Sequence, residues 1–310
     1  MKSFLGRLNN FFTEQPLPSS ALQVTSSYIS GLHLSSKERK LKNHFVLPLP
    51  DGIIQPSFER INIKDARLLE KKITERVEKL DIYDHGVALL LPELSQRTFV
   101  FSFDSLPNSS KEKEQVIRFR VKKQMPLLPD DVRISYDVIK AKEGKKVVSS
   151  LARSSIIDEF ENFFSQMRLK VRSVGIPILG LSNLIDWEKE KDFLVVNIEK
   201  DSFGLMAITN KEASMYRQKP LITVGEDDST IRVRNIVQEI ENTAHFIEDK
   251  EKRKIAAVWV RLGLLERKEE MFSNLEASLS LPVKSIDSLM GRGLESEDKK
   301  ILAPLIGQLL

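Results

Sequence analysis

The chain has 310 residues, 41% hydrophobic and 30% charged, a composition that suits a globular protein of roughly two domains. Its 48 basic and 44 acidic residues leave a net charge of +4, too slight an excess to mark a nucleic-acid binder. Zero cysteines exclude disulfides, thiolate zinc sites and a thiol nucleophile, and no apolar run nears the ~20 residues that cross a bilayer.

Residues Met1 to Pro18 read as an amphipathic tail, with Phe4, Leu5, Leu8, Phe11 and Phe12 at helical spacing opposite Lys2 and Arg7. Such a segment either lies on anionic lipid or a partner, or docks on its own domain. Arg7, Asn9 and Asn10 break it too early for a secretory leader, so a cytoplasmic protein is expected.

Ala21 to Thr25 and Tyr28 to Leu34 read as hairpin strands, with a third over Lys40 to Pro48 and a turn at Asp51-Gly52. Asp65 to Leu80 has an apolar stripe of Leu68, Leu69, Ile73, Val77 and Leu80, and a buried strand runs from Val87 to Leu91. Arg97 to Phe103 alternates, placing Phe99, Phe101 and Phe103 on one face. A charged helix from Lys111 to Met125 and strands over Val132 to Ile139 and Lys145 to Ala152 complete a small inserted module. Ser154-Ser155 with Asp158-Glu159 signals a capping box before a wide stripe of Ile156, Ile157, Phe160, Phe163, Phe164 and Met167.

A second half repeats the plan. Phe193 to Ile198 and Ser202 to Ile208 pair as strands, with Ala213 to Arg217 a third. The helix from Thr230 to Asp249 is expected to bury Ile231, Ile236, Val237, Ile240, Ala244 and Ile247. A strand over Ile255 to Arg261, a helix over Met271 to Leu279, a return at Leu281-Pro282-Val283 and a terminal helix over Ile301 to Leu310 follow. Strands, helix and buried strand occurring twice read as an internal duplication.

Other chemical signals are sparse. No P-loop or dinucleotide fingerprint occurs. His33, His44, His85 and His245 lack metal-ligand spacing, and the Lys37 to Lys40 and Lys250 to Lys254 runs read as solvated faces. Asp130-Asp131 reads as a helix-flanking turn rather than a catalytic carboxylate pair, and Ser26-Ser27 as a hairpin turn rather than a phosphate nest.

The duplicated plan resembles the actin-like ATPase fold of the FtsA type, and more narrowly the PilM family of type IV pilus assembly proteins, relatives of GspL. The resemblance rests on Val46-Leu47-Pro48-Leu49-Pro50-Asp51-Gly52-Ile53-Ile54, Ala88 to Pro92, Gln115 to Asp137, Glu239 to Ile247, and Leu281-Pro282-Val283 with Ile286-Asp287. It implies a mixed α/β (α+β) chain, a duplicated actin-like ATPase fold with an SHS2/1C-like module inserted in the first half. The expected parts are a tail over 1–18, a first lobe over 19–94 and 173–190, the module over 95–172, and a second lobe over 191–310.

Nucleotide-binding members cradle phosphates between two hairpins that each carry Asp-x-Gly, because glycine lets backbone N–H groups approach and aspartate organises the metal. Gln23, Thr25 and Ser26 stand in the first hairpin here, Asn197 and Glu199 in the second, and only Gly263 remains of the adenosine-side glycines. The resemblance therefore implies an inactive scaffold with no catalytic residue, cofactor or metal. The alternative is an atypical ATPase binding ATP and Mg2+ weakly through Glu199 and Ser26.

As partner the resemblance implies the cytoplasmic N-terminal tail of a PilN-like inner-membrane protein, held between first lobe and module. Leu91, Pro92, Arg118, Val121, Met125, Pro126 and Tyr136 are the expected lining, and Met125→Asp or Arg118→Glu should weaken binding without unfolding the chain. The protein would then sit peripherally at the inner membrane. Contact with pilus motor ATPases and self-association are left open, as is a GspL-like role in type II secretion.

Overall fold

The computed structural model describes residues 18–35, 40–80, 82, 86–140, 144–221, 228–265, 268–289 and 296–310. The amphipathic tail expected up to Pro18 falls, but for that last residue, outside this set, as do Lys37 to Arg39 and His85.

The first lobe opens with β1 (Ser20–Val24), β2 (Tyr28–Leu34) and β3 (Leu41–Pro48), then α1 (Ala66–Leu80) and β4 (Gly86–Leu90). Every residue of β1 and β2 is buried, as expected of strands covered on both faces. Asp65 accepts a hydrogen bond from the Leu68 amide at 2.9 Å and so caps α1. Leu69, Ile73, Val77 and Leu80 of α1 go under the sheet, each contributing about 1.5–3 kcal/mol of apolar burial.

The module follows, with β5 (Arg97–Phe103), α2 (Ser110–Gln124), β6 (Val132–Lys140) and β7 (Lys145–Arg153). Its sheet has the order β5-β7-β6, all antiparallel. Ile117 and Val121 of α2 pack on one face with Phe101, Val147 and Leu151. The chain then returns to the first lobe through α3 (Ser154–Gln166) and β8 (Lys170–Gly175).

This return corrects two expectations. The module does not extend to residue 172: Ile156, Phe160 and Phe164 of α3 join the cluster of Leu69, Ile73 and Leu89, and β8 pairs with β4. Nor do Ser154-Ser155 and Glu159 form a capping box. Ser155 donates from its amide and hydroxyl to Asp131 at 3.4 and 3.0 Å, while Glu159 accepts from the amides of Asn62 and Ile63, both at 2.8 Å. A tertiary carboxylate displaced the local one, and Asp131 does flank a helix.

After α4 (Pro177–Asn183), the second lobe comprises β9 (Phe193–Ile198), β10 (Ser202–Thr209), β11 (Glu212–Pro220), α5 (Asp228–Glu251), β12 (Ala257–Leu262), α6 (Lys268–Ser278) and β13 (Val283–Ser285). The two large sheets have the same topology, β3-β2-β1-β4-β8 and β11-β10-β9-β12-β13, each an antiparallel hairpin continued by parallel strands. In α5, Ile231 is 47% exposed, contrary to expectation; Val233, Ile236, Ile240 and Ile247 form the buried stripe instead.

The lobes are joined by an exchange of helices. α4 packs against the second sheet, where Ile178 and Leu181 meet Val195 and Met206. The C-terminal α7 (Ser296–Gln308), expected with the second lobe, lays Leu302, Leu305 and Leu309 on Ala21, Leu32 and Leu90 of the first sheet. The two helices touch at Gly180 and Gly307, where a Cβ on Gly307 would stand 1.8 Å from the Gly180 carbonyl oxygen. Only glycine permits that approach.

Candidate functional site

The tips of the two hairpins and the end of β12 meet between the lobes, and large polar side chains fill the space. Arg261 is fully buried at the end of an otherwise apolar strand. It forms an ion pair with Glu199 and donates to Asn197 Oδ1 at 3.0 Å, to Tyr28 Oη at 2.7 Å, and to the Lys300 and Ile301 carbonyls at 2.9 and 3.0 Å. Tyr28 in turn donates to Glu199 at 2.9 Å, and Gln23 reaches the same oxygen at 3.3 Å. Burial disfavours both charges of the pair; contact with Glu199 and Tyr28 more than offsets it for Arg261, whereas burial still holds the Glu199 carboxyl above its ordinary range. One arginine thereby holds together both hairpins and the start of α7.

A second buried carboxyl continues the network. Glu93, just beyond β4, accepts hydrogen bonds from Tyr216 and, at 3.2 Å, from Asn197 Nδ2. Burial pushes it up to about 7, with Tyr216 and Asn197 opposing the rise.

Of the six phosphate-loop positions singled out from sequence, Gln23, Asn197 and Glu199 join this network and Gly263 abuts it. Thr25 closes the first hairpin itself, donating to the Tyr28 carbonyl at 2.8 Å and accepting from the Tyr28 amide at 2.9 Å. Ser26 lies beside it in that turn. Gly263 survives because a Cβ there would lie 2.0 Å from Glu199 Oε2. The residues present do not fit a triphosphate: the Glu199 carboxylate lies against Gly263 and Arg261 between the hairpin tips, and neither hairpin carries an Asp-x-Gly to supply a metal partner. No cluster of three or more metal-ligating side chains occurs among the described residues.

An open concavity lies beside the module. A groove of about 330 Å3 runs between the module and the first lobe. Arg133 to Asp137 of β6 line one wall and Arg172 to Gly175 of β8 the other; Leu91, Val148, Ile176 and Leu179 are among the apolar residues that complete it. β6 and β8 each pair on one side only within their sheets, so two strand edges face the groove.

Leu91 and Tyr136, expected from sequence, line this groove. Pro92 is buried beside it but is not part of the lining. The other four residues are not part of this lining. Arg118, Val121, Met125 and Pro126 belong to α2 and its exit, on the sheet face opposite Val148, since adjacent residues Val147 and Val148 point to opposite sides. Val121 is fully buried and Met125 packs beside it, so Met125→Asp would disturb the module core rather than spare the fold.

Sequence reading also missed Tyr28, Glu93, Tyr216 and the role of Arg261. A usable signal existed for the last: an arginine inside Ala257-Val258-Trp259-Val260-Arg261-Leu262 must find a buried partner.

Topology and site together define the class: the chain has the actin-like ATPase fold with a small module inserted in the first half, its interlobe cleft closed by side chains. No protein-family model and no curated protein matches the sequence. Among solved structures, the chain is similar to the PilM-PilN type IV pilus biogenesis complex, with a TM-score of 0.76 and 16% identity over 95% of this chain and 97% of that one. It is also similar to the cytoplasmic domain of EpsL, an inner membrane component of the type II secretion system of Vibrio cholerae, at a TM-score of 0.53 and 10% identity, covering 92% and 93%. A Bacteroides thetaiotaomicron protein with actin-like ATPase fold and unknown function matches at a TM-score of 0.53 and 8% identity, covering 90% and 95%. No helix among the described residues is long and apolar enough to cross a membrane.

Proposed function

We propose that this chain is a non-catalytic scaffold of a type IV pilus inner-membrane platform, and that its groove takes the extended N-terminal tail of a PilN-like membrane protein. The observation that carries the reading is the groove itself. Two free strand edges offer backbone hydrogen bonds, and apolar pockets between them accept alternate side chains of an added strand. Likeness to a complex named for both PilM and PilN supports the partner, and the filled cleft supports the lack of catalysis. Binding such a tail would hold the protein at the membrane without a span of its own.

The test is a fluorescence-anisotropy titration of the chain with a labelled N-terminal peptide of the neighbouring PilN-like protein. Saturable binding that a scrambled peptide does not reproduce is expected; equal affinity for both would overturn the assignment. A second reading, an atypical ATPase, draws on Gln23 Oε1 and Glu199 Oε2, buried acceptors with no hydrogen-bond partner among the described residues. Calorimetry with ATP and Mg2+ separates the two, no binding heat being the outcome expected here. A GspL-like role in secretion shares the fold, and the choice of peptide that binds distinguishes it.

A further inference from the structure

We propose that the outer face of α2 is a docking surface for an anionic lipid bilayer. Its C-terminal half carries Arg118, Arg120, Lys122 and Lys123 with no acid among them. None of these four cations forms an ion pair among the described residues, whereas Arg133, Arg153, Lys219, Arg253 and Lys284 each do. Two large apolar side chains stand out from the same end of the module: Phe119 is 60% exposed and Leu127, in the turn after the helix, is 91% exposed. Lys123 lies over the Phe119 ring with its ammonium 4.7 Å from the centroid, so cation and apolar group project together.

The chemistry of the face selects the occupant. Phe119 and Leu127 are two exposed apolar side chains eight residues apart among cations, too little apolar surface for the packed core of a protein interface. A bilayer interface has no such requirement: isolated aromatic and aliphatic groups enter between headgroups while flanking Lys and Arg meet anionic phosphates. The acids of α2 itself, Glu112 and Glu114, are in its first turns beside Lys111 and Lys113, so the helix keeps six cations against two anions; beyond it come Asp130, which is exposed, and Asp131, which is held by Arg153 at 2.8 Å. The face also lies across the module sheet from the groove, so lipid contact and peptide capture do not compete.

The experiment is co-sedimentation of the full chain with phosphatidylglycerol-rich vesicles and, in parallel, with pure phosphatidylcholine vesicles. Binding to the anionic vesicles alone, weakened by salt, is expected. Lys122→Glu with Lys123→Glu should lower the apparent affinity by more than about tenfold, because two attractions become repulsions. Phe119→Ser with Leu127→Ser should also reduce it, with the thermal melt and groove-peptide affinity unchanged in both variants. Equal binding to both vesicle types, undiminished binding by either variant, or binding to double-stranded RNA but not to vesicles would each overturn the proposal.

Discussion

The interlobe cleft and the groove beside the module are both seams where the first lobe meets another unit, yet one is closed and the other open. Side-chain size and backbone pairing account for the difference. Arg261, Tyr28, Glu199, Gln23 and Tyr216 crowd the cleft, and their polar atoms engage one another across it. The groove is lined in part by Ser135, Ser150, Ala152, Ser173 and Gly175, which leave volume, and by β6 and β8, whose outer edges lack a neighbouring strand. A seam filled with interlocking charged and polar side chains stiffens a molecule; a seam whose strand edges lack a neighbour among the described residues invites a ligand.

The comparison can be broken most severely at Arg261. Truncating it to alanine leaves the Glu199 carboxylate buried without its partner and releases the start of α7, so denaturant unfolding should show a loss of about 3–5 kcal/mol. Replacing Arg261 and Glu199 together by methionine should restore most of that loss, since the pair is then removed rather than orphaned. A double variant as unstable as Arg261→Ala would argue that the network, not the orphaned charge, sets the effect.

Next in size is a pH effect from Glu93. Its folded value of about 7 lies above its ordinary 4.5, so the folded chain keeps a proton that the unfolded chain releases. Its contribution is whole below pH 4.5 and is lost as pH rises to about 7, at a slope of at most about 1.4 kcal/mol per pH unit. Glu93→Gln keeps an amide between Tyr216 and Asn197 and should flatten melting temperature across that window; an unchanged pH profile would show that other groups set it.

Gly263→Ala sharpens the claim that the cleft is full. The added methyl would meet Glu199 Oε2 at 2.0 Å, so overpacking should cost about 1–3 kcal/mol in a thermal or denaturant melt. In a cleft open enough for a nucleotide the same change would be almost neutral. At the groove the main readout is binding: Tyr136→Ala should weaken peptide binding by about tenfold, about 1.4 kcal/mol, with the melt lowered by about 2–4 °C because the ring also packs with Ile134 and Val138 on the module cluster. A variant with wild-type peptide affinity would move the binding surface away from β6.

Much of the fold was legible before any coordinates. Continuous apolar runs such as Phe193 to Ile198 and the stripe Leu69, Ile73, Val77 and Leu80 carry their burial in their period, and a hairpin repeated at Ala21 and Phe193 carries the duplication. The absence of Asp-x-Gly from both hairpins was legible too, and Leu91 and Tyr136, picked out from sequence, do border the groove beside the module. Tertiary structure alone decided what replaced the lost glycines, because Arg261 and Glu199 are 62 residues apart and local pattern says nothing about such a pair. It likewise decided that Asp131 rather than Glu159 caps α3, that α4 and α7 exchange lobes, and which side of the module sheet each strand residue faces. Periodicity records whether a side chain is buried; the partner it is buried against depends on contacts distant in the chain, and the cleft and the groove are built from such contacts.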